Sequence, residues 1–273
     1  MQDTRINKLI EKCASGEPKE QAFALQELVK MKADSAVPVI LELLHSSDEG
    51  IRFCAAEALG DLGENEIESV GCALINLLVD PKELVRSGAT DSLGILAYKP
   101  ARDSIESLLL NDSAPLVRAS AAETLGDLGD PDALDTLKSA MQDPDEAVRS
   151  YAANSLGLVG KPDLLPQLQT YIESEDSLEV KAELLAAKYR LGDTEAMKSL
   201  LTFLENADED LATVMLNILG DLIDRKIPLT ITSDASEICQ VLNLLEKRFP
   251  LLAHHSQSII AKLAVLKSQS NQV

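Results

Sequence analysis

Tryptophan is absent from this 273-residue chain, and Phe, Tyr and Trp together make up only 3% of it. Basic residues are scarce as well: 25 Lys and Arg stand against 45 Asp and Glu, a net charge of −20. A surface of that sign repels phosphate, which argues against nucleic acid and against an anionic membrane surface as partners. No run of ~18 apolar residues occurs, so no membrane span is expected. The opening residues Met1-Gln2-Asp3-Thr4-Arg5 lack the basic-then-apolar pattern of a secretion leader. Gly (13) and Pro (11) are too few for a collagenous or low-complexity chain. Four cysteines, Cys13, Cys54, Cys72 and Cys239, form no CxxC pair, which argues against a zinc ribbon or a thioredoxin-like site. They read as reduced thiols of a cytoplasmic protein. Cys54 and Cys72 fall in apolar helical patterns and are expected as small core residues. What the chain does have is 45% apolar residues, enough for a sizeable core.

Those apolar residues recur with a long period. Ile51-Arg52-Phe53-Cys54-Ala55-Ala56-Glu57-Ala58-Leu59-Gly60 matches Val117-Arg118-Ala119-Ser120-Ala121-Ala122-Glu123-Thr124-Leu125-Gly126. Further copies start at Val85-Arg86 and Val148-Arg149, and weaker ones at Val180-Lys181 and Leu211-Ala212. From Arg52 the steps to Arg86, Arg118, Arg149 and Lys181 are 34, 32, 31 and 32 residues. A steady period of this size predicts a solenoid of supersecondary units. Gly60, Gly94, Gly126 and Gly157 keep the same step.

Each unit reads as two helices. Pro131 suits a first helical turn, and Leu134, Leu137 and Met141 follow at helical spacing. Asp143-Pro144-Asp145 breaks the pattern and can cap the next helix, whose stripe is Val148, Ala152, Leu156 and Val159. Gly160-Lys161-Pro162 stops it. No stretch alternates with period two, so the expected class is all-α: an α-solenoid of about eight stacked helix pairs filling residues 1–273. Residues 1–33 are expected as an N-terminal capping pair, with helices near 3–14 and 18–32. Regular repeats fill 34–223, and divergent capping helices fill 224–273. Within that last part Ile227 to Asp234 reads as a loop, 235–247 and 251–267 as helices, and Ser268 to Val273 as a frayed tail.

The motif Asp-Pro-x-x-x-Val-Arg-x-x-Ala-Ala-x-x-Leu-Gly-x-Leu-Gly, carried by Asp112 to Gly129, by Asp143 to Gly160 and less fully by Asp80 to Leu96, resembles the HEAT repeat. More narrowly it is similar to the short bacterial form named for the phycobilisome lyases. The resemblance covers roughly residues 20–222 and implies the fold more than the function. It also implies a structural ladder between successive repeats, formed by an Asp and an Arg six residues apart: Asp80/Arg86, Asp112/Arg118 and Asp143/Arg149. Glu175/Lys181 is a degraded pair, and Ser46/Arg52 lacks the acid.

The resemblance places the second helix of each pair on a concave surface. Counted from each repeat's Arg, the apolar stripe falls at −1, +3, +7 and +10, so the opposite face falls at +1, +5 and +9. These are Phe53, Glu57 and Asp61; Ser87, Asp91 and Ile95; Ala119, Glu123 and Asp127; Ser150, Asn154 and Leu158; Ala182, Ala186 and Arg190. Tyr151 lies beside them at +2. The face is acidic in the first three repeats and expected to become apolar in the next two. It suits a protein partner with a basic or amphipathic segment. The plainer reading is a solvated acidic face that only aids solubility.

Catalytic signatures are thin. No Gly-rich phosphate loop, GxSxG or HExxH occurs. Glu57/Asp61 and Glu123/Asp127 have a spacing that can converge on a cation, but no His accompanies them, and no metal site is expected. The leading expectation is a non-enzymatic scaffold or adaptor without a cofactor. The alternative implied by the resemblance is a bilin lyase or isomerase subunit, or a phycobilisome-degradation factor, acting with a second HEAT subunit.

Overall fold

The computed structural model describes residues 2–15, 17–225 and 231–270. Sixteen α-helices among them alternate as first and second members of eight pairs, and no described residue lies in a strand. No helix among the described residues is long and apolar enough to cross a membrane. The chain divides into two units, Met1–Ala152 and Ala153–Val273, with the boundary inside one helix.

In the first unit the helices are α1 Gln2–Ser15, α2 Pro18–Lys30, α3 Val37–Leu43, α4 Glu49–Leu62, α5 Ile67–Leu77, α6 Glu83–Ile95, α7 Arg102–Asn111, α8 Pro115–Leu128, α9 Leu134–Ala140 and α10 Glu146–Val159, which carries the boundary. The repeat punctuation explains where they start. The Asp48 carboxylate accepts from the Ile51 N–H and caps α4. Pro115 opens α8, where a missing N–H costs nothing. A short 3-10 turn, such as Pro131–Ala133, precedes most first helices from α3 onward. The expected apolar stripe is buried throughout: Ile51, Ala55, Leu59 and Leu62 in α4, Val85, Ala89 and Leu93 in α6, Val117, Ala121 and Leu125 in α8. Each large side chain so buried contributes roughly 1.5–3 kcal/mol.

The second unit contains α11 Leu165–Ser174, α12 Leu178–Arg190, α13 Glu195–Asn206, α14 Glu209–Asp224, α15 Ile231–Arg248 and α16 Ala253–Ser270. Its core runs through Tyr189, Leu200, Met215, Leu219, Ile238 and Leu242. The Tyr189 hydroxyl donates to the Asp234 carboxylate at 2.7 Å, which satisfies the polar end of a buried ring.

Three local expectations need correction. Ile231 to Asp234, expected as loop, open α15, while 226–230 lie outside the described residues. The expected fray at Ser268 is instead helix to Ser270, and 271–273 lie outside the described residues. Cys72 is exposed rather than core. The inward stripe of α5 is Val70, Leu74 and Leu77, and Cys72 sits two residues off it, its Sγ 3.5 Å from the Tyr98 hydroxyl. Cys54 is half-buried, and Cys13 is fully buried.

Candidate partner-binding face

Second helices in the first unit lie side by side, because small residues stand where they meet. A Cβ on Gly60 would come within 3.0 Å of the Ser92 side chain, and one on Gly94 within 3.1 Å of Thr124 Oγ1. The same register repeats in hydrogen bonds. Ser92 Oγ donates to the Ala56 carbonyl at 2.9 Å, and Thr124 Oγ1 to the Thr90 carbonyl at 3.1 Å. In the second unit a Cβ on Gly157 would come within 2.7 Å of Ala187 Cα. The periodic glycines are therefore contact points between helices one repeat apart.

An Asp–Arg ladder between successive repeats fixes that register along one end of these helices, its ion pairs running across repeats and not within Asp80/Arg86, Asp112/Arg118 and Asp143/Arg149. Arg52, Arg86 and Arg118 each reach the carboxylate of the next repeat. Arg52 binds Asp80 at 2.8 and 3.0 Å, Arg86 binds Asp112 at 2.7 Å through two nitrogens, and Arg118 binds Asp143 at 2.7 and 2.8 Å. Six residues back, each Arg donates to a backbone carbonyl instead: Arg86 to Asp80, Arg118 to Asp112 and Arg149 to Asp143. Arg52 does the same with Ser46, so Arg52 joins the ladder although position 46 carries no acid. The carboxylates also accept from the N–H two residues on, at Lys82, Ala114 and Asp145. Burial opposes ionisation of Asp80, but the hydrogen bonds from Arg52 and Lys82 and the charges of Arg52 and Arg86 outweigh it. The carboxyl is held below its ordinary range. Asp112 and Asp143 behave alike.

The exposed face carries the expected acids. Glu57 and Asp61 on α4, Asp91 on α6, and Glu123 and Asp127 on α8 are exposed. Burial, and then the like charges of Asp61 and Asp91, push the Glu57 carboxyl up. Burial also pushes Asp91 up, against a hydrogen bond with Ser120. Among the described residues no Lys or Arg pairs with Glu57, Asp61 or Asp91. Lys30, which lines a groove of about 290 Å³ with Glu57 and Asp61, is held by Glu27 at 3.0 Å. Among the described residues no group of three or more His, Cys, Asp or Glu side chains is placed to hold a metal ion.

Phe53 is half-buried: its ring lies over Gly88, where a Cβ would come within 2.8 Å of it. Tyr151 is 40% exposed. Other parts of the expected face are not face at all. Ser87 and Ala119 at +1 are buried, and Ser87 Oγ meets Ser120 Oγ of the neighbouring helix at 2.8 Å. A position 100° from the neighbour-facing line is covered when helices approach this closely.

In the second unit the expected apolar groove is core. Ala182 and Ala186 are fully buried, and Leu158 is half-buried. Polar groups there pair with one another. Asn154 donates to Glu183 at 3.1 Å, the Arg190 guanidinium binds the Asp221 carboxylate, and Arg225 binds Asp221 at 2.8 Å. The Arg190 side chain is 1% exposed, and its Nε and Nη1 have no hydrogen-bond partner.

The structure adds two exposed residues that the count from Arg does not reach, and exposes a third that the count does place on the face. Leu84 and Leu116 are 57% and 46% exposed, and Ile95, placed at +9 but not among the expected contacts, is 64% exposed. Leu84 and Leu116 stand seven residues before Asp91 and Glu123, two helical turns along the same face. That spacing was the available signal. Beside Leu84 a groove of about 530 Å³ is lined by Phe53, Pro81, Lys82, Val85 and Arg86, among others. The first unit thus presents a row of apolar side chains at one end of its second helices and a row of carboxylates about two turns along.

Comparison with known proteins agrees with this architecture. The HEAT-repeat family model matches residues 6–94, 71–145, 102–188 and 135–220. The chain is similar in fold to the complex of CpcE and CpcF of the phycocyanin lyase from Nostoc sp. PCC7120, with a TM-score of 0.63 and 21% identity over 84% of this chain and 94% of that one. It is similar to the Escherichia coli protein YibA, with a TM-score of 0.56 and 18% identity over 96% and 95% of the two chains. Part of the karyopherin Kap121p, solved bound to Nup53p, also matches, with a TM-score of 0.56 and 17% identity over 82% of this chain and 28% of that one. Among curated proteins none matches the chain. The chain is an all-α solenoid and belongs to the HEAT-repeat family.

Proposed function

We propose that this protein is a non-enzymatic binding scaffold that holds a basic, amphipathic segment of another protein on the second-helix face of its first unit. The observation that carries this reading is the cluster of Glu57, Asp61 and Asp91. These carboxylates repel one another, burial raises Glu57 and Asp91, and among the described residues no cation pairs with them. Exposed Leu84 and Leu116 lie two turns away. Like charges held together cost stability, and an incoming Lys or Arg relieves that cost. A face needed only for solubility has no reason to crowd its acids or to leave leucines beside them. Charge reversal at Glu57, Asp91 and Glu123 is expected to abolish capture of partner proteins from the native cell extract, with the helical circular dichroism unchanged. Undiminished capture by that variant would overturn the reading.

A second reading has one observation in its favour, the similarity in fold to the CpcE and CpcF complex. On that reading the chain is a bilin lyase or isomerase-type subunit that works with a second HEAT subunit, with exposed Tyr151 toward the tetrapyrrole. Mixing the protein with free bilin, then with an apo-phycobiliprotein, tests it by visible absorbance. No spectral change and no chromophore transfer would remove it.

A further inference from the structure

The two rows on the first unit also say what shape their occupant has. We infer that the bound segment is an amphipathic α-helix lying across α4, α6 and α8, its apolar stripe over Phe53, Leu84 and Leu116 and its cationic flank over Glu57, Asp91 and Glu123. This rests on the reading of the face as a basic-segment site and deepens it.

The spacing comes first. Leu84 to Asp91 and Leu116 to Glu123 are each seven residues, about 10 Å of helix rise. A helix with its side chains is roughly 10–12 Å across. One helix laid over the apolar row therefore brings its flank over the acids. Along the other direction, packed helices stand about 8–10 Å apart. A seven-residue step of the ligand helix, about 10.5 Å, sets successive apolar residues against successive repeats. The groove between Phe53 and Leu84, of about 530 Å³, has the volume to take one large apolar side chain as an anchor.

Backbone chemistry comes second. An extended segment must find partners for its own N–H and C=O groups. Along the exposed faces of α4, α6 and α8 the polar side chains are carboxylates, which accept hydrogen bonds but do not donate them, while Lys82 and Arg86 at the groove are already held by Glu49 and Asp112. No Asn or Gln lies on the exposed faces of α4, α6 and α8. An extended segment would find few uncommitted protein donors for its carbonyls on this face, whereas a helix satisfies its own.

Two synthetic peptides of identical Leu and Lys content test the inference on the full-length protein by fluorescence anisotropy. In one, the leucines recur at helical spacing with lysines along one flank. In the other, leucine and lysine alternate. The helical peptide is expected to bind at least tenfold more tightly and to gain helical circular dichroism on binding. Leu84→Ser with Leu116→Ser should weaken it about tenfold without changing the salt dependence. Glu57→Gln with Asp91→Asn should weaken it and flatten the salt dependence. If the acid variant weakens both peptides equally while the leucine variant changes nothing, the helix inference falls and the basic-segment reading stands. If neither variant alters binding, or neither peptide binds, both fall.

Discussion

The first and second units build the same kind of helix pair but treat their exposed second-helix faces in opposite ways. Met1–Ala152 carries 28 acidic and 14 basic residues, and Ala153–Val273 carries 17 and 11. In the second unit the polar groups at matching positions pair with an opposite charge or an amide: Asn154 with Glu183, and Arg190 and Arg225 with Asp221, although Arg190 Nε and Nη1 have no hydrogen-bond partner. In the first unit Glu57 lies among the like charges of Asp61 and Asp91, and among the described residues no Lys or Arg pairs with the three. Stable repeat packing does not require that crowding, since the second unit does without it. Local electrostatic strain on an otherwise consistent scaffold points to function.

The largest effect is expected where the second unit's pairing is broken. Asp221→Ala leaves the buried Arg190 guanidinium without its carboxylate and should cost about 3–5 kcal/mol in denaturant unfolding. Arg190→Met, which removes the buried charge as well, should be nearly neutral. A loss as large as that of Asp221→Ala would show that Arg190 makes more than its visible contacts. In the first unit the nearest counterpart is Asp112→Ala. It strips Arg86 of a two-point partner and the Ala114 N–H of its acceptor, and should cost about 3 kcal/mol. A smaller loss is expected from crowding the helix contact at Gly157→Ala, about 1–3 kcal/mol, because the nearest atom is the Ala187 backbone.

The acids of the face and those of the ladder titrate in opposite directions, which gives a subtler signature. Glu57 and Asp91 sit above their ordinary values, so the folded chain holds protons there more tightly than the unfolded chain. Stability should rise slightly as pH falls from 7 toward and through those raised values. Asp80, Asp112 and Asp143 sit below theirs. Their contribution is complete above the ordinary aspartate value of ~3.9 and is lost as pH falls through their depressed values. Unfolding midpoints measured against pH should climb gently and then drop. Glu57→Gln with Asp91→Asn should remove the climb and leave the drop. A climb that survives the double variant would place its origin elsewhere.

Much of the fold was legible because repetition amplifies a weak signal. The stripe of Ile51, Ala55 and Leu59 and the glycines Gly60, Gly94 and Gly157 each recur in phase, and each proved to face a packed neighbour. The ladder was half legible. A six-residue Asp-to-Arg spacing is the same in sequence whether the side chain meets the carboxylate of its own repeat or of the next, and only the stacking register decides. The face was least legible at its edges. Ser87 and Ala119 were counted as exposed because an isolated helix offers them to solvent, whereas a neighbour one repeat away covers them. Leu84 and Leu116 were overlooked because the count began at the Arg two residues later.

Carboxyl-carbon NMR titration of Glu57 and Asp91 in the full-length protein, with and without the helical Leu-Lys peptide, reaches the unpaired charge itself. In the free protein both midpoints should lie above the ordinary values of ~4.3 for Glu and ~3.9 for Asp, and with saturating peptide both should fall. Ordinary midpoints in the free protein, unmoved by the peptide, would mean that the acids of the first unit are merely solvated.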